Sequence, residues 1–545
     1  MRTHRQSTAR GAIVATVAMA TAAGLAACSG PDEAGVSKDD FTYVLDRPLT
    51  TTNAAGTLGV ASDAAALSAR LYPGAFLPGP GGRLLPNTDL VTATPDPENP
   101  DAVDYAVTDG AAYSDGAPVV CDDFLLAWVA AHRTDLFASE PGLMTRVRDV
   151  TCAAGERSFR VDFDEGFGAR YRELFGAGEV LPSHTVAEHA GVDSVVDAVN
   201  TGDVPALTAL GQSWSTTFDL AATDPATVPT SGPFRIESRE DEGNTAGADR
   251  GPVLILGRNP EWRGDRPGLD RIVVRGGGDT ARAVDGTAEV TDAAVLAGQP
   301  TDADFTAAGL TVSRVAGVRS DGLTLSDAGV FATADNRRAF ASCIDRSAVV
   351  EAVATATGAT VEPQVLRVAT PGSPASEALA DLAARLGARD PRATAAVLDG
   401  TTVRIGYLAG QPRLEVIVGA LAASCAESGV TVVGVPLDVA ALQRPGGSGT
   451  DYDALLDTRT PYSRNPRVTV SPASRSGRIS DAENQLATDA ATIPLAVEPR
   501  LVLTASTVSG VSDSGGEQGL SWNMDRWTST DHPLTEDPDT SEETE

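Results

Sequence analysis

Short apolar runs with a period of two alternate along the chain with longer runs of helical spacing. Phe41-Thr-Tyr-Val-Leu45 reads as a first strand, being short, β-branched and aromatic. Ala106–Ala112 leads into Tyr113-Ser-Asp-Gly116, a turn sequence. From Asp122 to His132, acids in the first turn and Phe124, Leu125 and Trp128 on one face predict a helix. Ser158–Phe163 alternates as a strand. Gly232–Glu237 and Val253–Leu256 read as two strands joined by a polar loop over Ser238–Gly251. In the second half, Asp335 is placed to cap a helix carrying Phe340, Cys343 and Ile344, and Asp345 to cap another carrying Val349, Val350 and Val353. Val403–Leu408, a helix over Arg413–Glu427 and Val430–Val433 form a strand–helix–strand unit. Such a unit normally closes as a right-handed parallel crossover. Asp453–Leu456 is the next strand, and no internal repeat is visible.

The N-terminus follows a different pattern. Arg2, Arg5 and Arg10 precede a run of small and apolar residues, Gly11–Ala27, broken only by two threonines. That is the layout of an export signal, and a run of about 17 residues is short for a membrane span. Leu25-Ala-Ala-Cys28 resembles a bacterial lipobox, which makes Cys28 the lipidated first residue of the mature chain. Each buried CH₂ of an acyl chain contributes roughly 0.8 kcal/mol, so two or three chains hold a protein on a membrane. The expected location is therefore the outer, extracytoplasmic face of the cell membrane, with residues 29–40 as a polar spacer.

The 545 residues carry a net charge of −32. Loss of residues 1–27 removes three arginines and no acid, which leaves about −35. Such a surface repels nucleic-acid phosphates and anionic headgroups, so no nucleic-acid partner is expected. From Ser529 onward there are seven acids and no Lys or Arg, which predicts a disordered tail over 529–545. Besides Cys28, four cysteines remain: Cys121, Cys152, Cys343 and Cys425. An even number in an exported chain suggests disulfides, with three possible connectivities. Proximity along the chain favours Cys121–Cys152 and Cys343–Cys425, and buried free thiols are the alternative. No metal or cofactor is expected, because no CxxC, HExxH, phosphate loop or dinucleotide fingerprint occurs. No GxSxG nominates a nucleophile, so the chain does not read as an enzyme.

Four segments carry a family resemblance. They are Tyr113-Ser-Asp-Gly-Ala-Pro-Val-Val-Cys-Asp-Asp-Phe124; Thr230-Ser-Gly-Pro-Phe234; Arg258-Asn-Pro-Glu-Trp-Arg-Gly264 with Leu269-Asp-Arg-Ile272; and Asn336–Arg346 with its Cys-Ile-Asp-Arg end. In this order, behind a lipobox, they resemble the family-5 extracytoplasmic solute-binding proteins that serve peptide and nickel ABC importers. The resemblance implies an α/β fold of two periplasmic-binding-protein-like lobes of class II, with an extra subdomain in lobe I, closing on a small ligand. It implies lobe I over 41–280 with the subdomain at about 61–225, lobe II over 281–488 and a return to lobe I over 489–528. It also implies an ABC permease as partner. Within the family, Tyr171–Phe175, Leu181–His184 and Ala496-Val-Glu-Pro-Arg500 resemble most the LpqW-like lipoproteins of mycolic-acid actinobacteria. That group is implicated in cell-envelope glycolipid (lipomannan and lipoarabinomannan) assembly. It implies a different pair of partners, a glycolipid headgroup and an envelope-assembly membrane protein, and a regulatory or scaffold role.

One departure bears on the ligand. Peptide binders of the family anchor the ligand ammonium with an Asp just after the strand matching Asp453–Leu456. Here the segment is Asp457-Thr-Arg-Thr-Pro-Tyr-Ser-Arg-Asn-Pro466, which puts Pro461, Tyr462 or Ser463 at the anchor, with Asp457 or Asp451 as the alternative. It offers Arg459, Tyr462 and Arg464 as ligand contacts, and the arginines favour an acidic, hydroxyl-rich or phosphorylated group.

Overall fold

The computed structural model describes residues 36, 40–79, 83–241, 251–465, 468 and 476–535. Cys28, the signal segment and most of the spacer lie outside the described residues. Val36 is described: its N–H donates to Glu240 Oε1 at 2.8 Å, and it packs on Val253, Ile255 and Val273.

Ten strands form one sheet. Their order is Thr431–Leu437, Thr402–Leu408, Ala454–Arg459, Leu310–Leu325, Thr492–Ala505, Val290–Ala294, Phe41–Val44, Arg271–Arg275, Val253–Arg258 and Phe234–Glu240. Two neighbours are long and antiparallel. Leu310–Leu325 pairs with Thr492–Ala505 from Leu310↔Ala505 to Ala316↔Pro499, and again from Ser320↔Val497 to Thr324↔Thr492. Between these stretches the register shifts. The other strands gather on either side, each group over its own core. Tyr43, Leu67, Trp214, Leu256 and Trp527 belong to the first core, and Phe340, Ile405, Ile417, Leu456 and Ile493 to the second. This is the two-lobed α/β fold, with the long strands running through both lobes.

The boundary expected at 280/281 falls before strand Val290–Ala294. Val290–Ala294 continues the first lobe's sheet, parallel to Phe41–Val44 through Tyr43↔Val290. The chain crosses between lobes inside Leu310–Leu325, at the register shift that holds Gly317. The expected subdomain range holds a four-stranded antiparallel sheet, ordered Val91–Pro95, Ala102–Val107, Ser158–Phe163, Val147–Thr151. Helix Cys121–His132 packs on it around Phe124, Phe159 and Phe175.

The four motif segments act on the backbone. Asp123 accepts from Val120 N at 2.9 Å, closing the helix start, and from Ser183 N and Oγ at 2.8 and 2.6 Å, which ties on a second helix. Ser114 and Thr230 exchange N–H···O bonds, and Asn259 Nδ2 donates to the Thr230 and Gly232 carbonyls. A Cβ at Gly232 would lie 2.2 Å from the Arg70 carbonyl oxygen, so only glycine fits. Asp345 caps helix Arg346–Thr357 through Ser347 N and Ala348 N. The preceding helix, Ala334–Cys343, is capped by Thr333 instead, with Asp335 in its first turn, where a carboxylate favours the helix dipole.

Disulfides join Cys121 to Cys152 and Cys343 to Cys425. The acidic tail is ordered further than composition predicts. Thr528–Ser529 pairs with Val508–Ser509, and Thr535 N and Oγ1 donate to Asp270 at 2.7 and 2.6 Å. Residues 536–545 lie outside the described residues.

Candidate functional site

Ion pairs fill the place where the long strands pass between the lobes. The register shift leaves Gly317–Arg319 on one strand opposite Glu498 on the other. Glu498, wholly buried, accepts from Arg47 Nη2 at 3.0 Å and Arg413 Nη2 at 2.9 Å, and forms an ion pair with Arg319, whose Nε lies at 2.9 Å. Arg47 comes from the first lobe, and Arg413 from the first turn of helix Pro412–Ala426 in the second. Asp63 pairs with Arg47 and Arg319 at 3.3 and 3.2 Å, and Asp321 with Arg413 at 2.9 Å and Thr458 Oγ1 at 2.7 Å. Three arginines thus meet three acids. Burial pushes the Glu498 carboxyl up, but Arg319, Arg413 and Arg47 outweigh it and hold it well below the carboxylate range. Asp46 lies beside the cluster, where Arg47 and Arg413 offset only part of the opposing effects. Burial, then Glu498 and Asp63, push its carboxyl up to about 6.

The segment expected to meet the ligand lies across the cleft from the first lobe. Strand Ala454–Arg459 runs three residues further than its apolar core suggests, so Asp457 and Arg459 share one face of it. Asp457, 1% exposed, takes Arg459 Nη2 at 2.8 Å and also binds Arg464 Nη2. Burial raises the Asp457 carboxyl, but the two arginines lower it further, and it stays below its ordinary value. Arg464 is buried against strand Leu310–Leu325, where a Cβ on Gly322 would lie 2.2 Å from its Nη1. Tyr462 reaches the first lobe: its hydroxyl donates to Glu173 Oε1 at 3.3 Å, and its ring lies under the Arg170 guanidinium at 4.8 Å. Arg459 approaches Glu140 at 3.8 Å, and Thr460 N donates to Glu517 at 2.6 Å. The structure therefore brings Arg459, Tyr462 and Arg464 together. Arg459 and Tyr462 face the first lobe, and Arg464 braces Asp457 from behind.

Two further contacts hold the lobes together. Leu58 and Ala61 pack against Leu408, Leu437, Leu442, Tyr452 and Leu455. Gln443 Nε2 donates to Asp219 Oδ2 at 2.9 Å. Close to Arg459 and Tyr462, the first lobe holds a cavity of ≈ 40 Å³ bordered by Glu140, Glu173, Glu179, Met144 and Trp214. No sequence pattern singled out these glutamates. They are three acids among 74, spread over forty positions. Glu498 does fall within Ala496–Arg500, a segment of the family resemblance, and that was the only signal for the ion cluster.

An uncharacterized lipoprotein of Mycobacterium tuberculosis, Rv2585c, is 29% identical over 94% of this chain and 97% of its own length. Among solved structures, the binding protein AgaA of A. tumefaciens R10, in complex with agropinic acid, superposes with a TM-score of 0.62 at 14% identity, over 90% of this chain and 98% of that one. The oligopeptide-binding protein AppA of Bacillus subtilis, in complex with a nonapeptide, gives 0.59 at 14% identity, over 90% and 99%. The model of the bacterial extracellular solute-binding proteins, family 5, matches residues 97–481. On that match the chain belongs to family 5 of the bacterial extracellular solute-binding proteins.

Proposed function

We propose that this protein is a lipid-anchored extracytoplasmic receptor of an ABC importer, which binds a peptide between its lobes and presents it to a membrane permease. The observation that carries this reading is the strand end and turn Asp457–Asn465, which spans the cleft with Arg459 and Tyr462 turned toward the first lobe. When the lobes part, these side chains exchange their contacts with Glu140 and Glu173 for contacts with the ligand. Arg459 suits the acidic end of a ligand through charge-assisted hydrogen bonds, and Tyr462 supplies a flat wall with a polar tip. Arg464 keeps Asp457, and through it Arg459, in place. The relative of known fold that carries a nonapeptide supports a peptide-sized ligand, and the one that carries agropinic acid supports an acidic one. The lipobox at Cys28 and the relative's name as a lipoprotein support the anchor.

Thermal-shift titration of the mature protein with tri- to pentapeptides tests the reading, because a ligand of the native state stabilises it by RT ln(1 + [L]/Kd). The expected result is a saturable shift that Arg459→Gln weakens by at least about tenfold in Kd. Absence of any peptide shift, together with a shift from a mannosylated phosphoinositide, would move the function to envelope glycolipid assembly. Cys28→Ser is expected to release the protein into the medium or leave it unprocessed. Membrane retention of a processed Cys28→Ser protein would overturn the anchor.

A further inference from the structure

The cavity beside Arg459 has an unusual wall. Ala131, Met144 and the Trp214 ring are apolar, whereas Glu140, Glu173 and Glu179 are carboxylates. The three acids are not equally satisfied. Glu173 binds Arg170 at 2.7 and 3.1 Å through one oxygen and Tyr462 through the other. Among the described residues, Glu140 meets a cation only at 3.8 Å, and that cation, Arg459, is held closer by Asp457. Glu179 takes a backbone N–H, from Gly176 at 2.7 Å. Burial accordingly pushes both the Glu140 and the Glu179 carboxyls up, with Arg459 offsetting only part of the effect at Glu140. A second observation is independent of the acids. Trp214 is 1% exposed and lines the cavity, yet its indole N–H has no acceptor among the described residues. Buried N–H groups are nearly always paired, so a polar visitor is the natural partner.

We propose that this cavity is an ammonium subsite of the ligand cleft, in which Glu140 and Glu179 are the counter-charges for a primary ammonium group and Trp214 donates to an oxygen next to it. The proposal rests on the receptor reading above and deepens it. A buried water needs about 10–15 Å³, so ≈ 40 Å³ holds an ammonium group and the atoms beside it, but not a whole peptide. Two carboxylates in an apolar wall suit such a group, because a buried ammonium needs a counter-charge. Ligand polarity follows. The second lobe offers Arg459 to an anion and the first lobe offers glutamates to a cation, so the preferred ligand is dipolar, with its positive end in the first lobe. The counter-charge that the Asp457–Asn465 segment does not offer beyond its own ion pairs is thereby supplied from the opposite side of the cleft.

The test uses the mature full-length protein and a tri- to pentapeptide library in three forms: unmodified, Nα-acetylated, and acetylated on both Nα and lysine Nε. The unmodified library is expected to bind. Full acetylation is expected to weaken binding by at least about tenfold in Kd, and Glu140→Gln with Glu179→Gln to do the same for the unmodified peptides. Loss on Nα-acetylation alone assigns the group to the peptide terminus. Loss only after Nε-acetylation assigns it to lysine, and either supports the subsite. Unchanged binding of the fully acetylated library to the wild-type protein overturns the subsite and leaves the receptor reading standing. No binding by any unmodified peptide overturns the receptor reading and the subsite with it. The acetylation arm needs no variant, so it decides the matter even where the double substitution impairs folding.

Discussion

Glu498 shows how much one side chain holds in place. Three guanidinium groups converge on this carboxylate, two of them from different lobes, and each has one further acid, Asp63 or Asp321. Removing one partner of a buried ion pair leaves charge without compensation, at a cost of about 3–5 kcal/mol. Glu498→Gln is therefore expected to lower unfolding free energy by about that amount in urea denaturation. Asp46 behaves in the opposite sense. Its carboxyl rises from 3.8 to about 6 in the folded protein, so the folded state holds that proton more tightly than the unfolded chain does. Its contribution to stability is full below 3.8 and is lost as pH rises through about 6. Asp46→Asn is expected to raise the urea midpoint at about pH 7 and to change it little at about pH 4. An equal gain at both values would mean that packing, and not ionisation, is the cause.

The two disulfides differ in what they close. Cys121–Cys152 ties the start of a helix to the end of a neighbouring strand over 31 residues, whereas Cys343–Cys425 joins two helices over 82. In the chain-entropy model the longer loop contributes about 0.9 kcal/mol more. Non-reducing peptide mapping is expected to recover both pairs, and the Cys343→Ser/Cys425→Ser protein to be the less stable of the two double variants. The elements that carry these cysteines were legible in the sequence because their signals are local. The helix predicted at Asp122–His132 forms over Cys121–His132, and Ser158–Phe163 is the strand its alternation predicts. Val403–Leu408 falls within strand Thr402–Leu408 and Val430–Val433 overlaps the start of strand Thr431–Leu437, and the two strands pair in parallel, as the crossover requires. The end of strand Ala454–Arg459 was hidden, because Asp457-Thr-Arg459 is polar and reads as a loop until its charges find one another. The Glu140 and Glu179 pair was hidden for a stronger reason. Only the folded chain brings positions 140 and 179 to one cavity.

For the molecule as a whole, closure and its opposite draw on separate contacts. The ion cluster sits at the crossing, while Gln443, Tyr462 and the Leu58–Leu442 patch sit on the faces that meet. Weakening the faces without touching the crossing, as in Gln443→Ala with Tyr462→Phe, is expected to increase the radius of gyration in solution scattering while the melting temperature moves little. A large fall in melting temperature with an unchanged radius would mean that these contacts hold the fold and not its closed form. The sheet order also bears on how the protein comes into being. Thr492–Ala505 is among the last strands in the chain, yet it lies in the middle, between Leu310–Leu325 and Val290–Ala294. A polypeptide that emerges N-terminus first therefore presents two unfinished half-sheets with facing open edges until some five hundred residues are out. Chaperones and proteases that meet the nascent protein meet it in that state, and a chain truncated before residue 492 has no completed lobe to offer them.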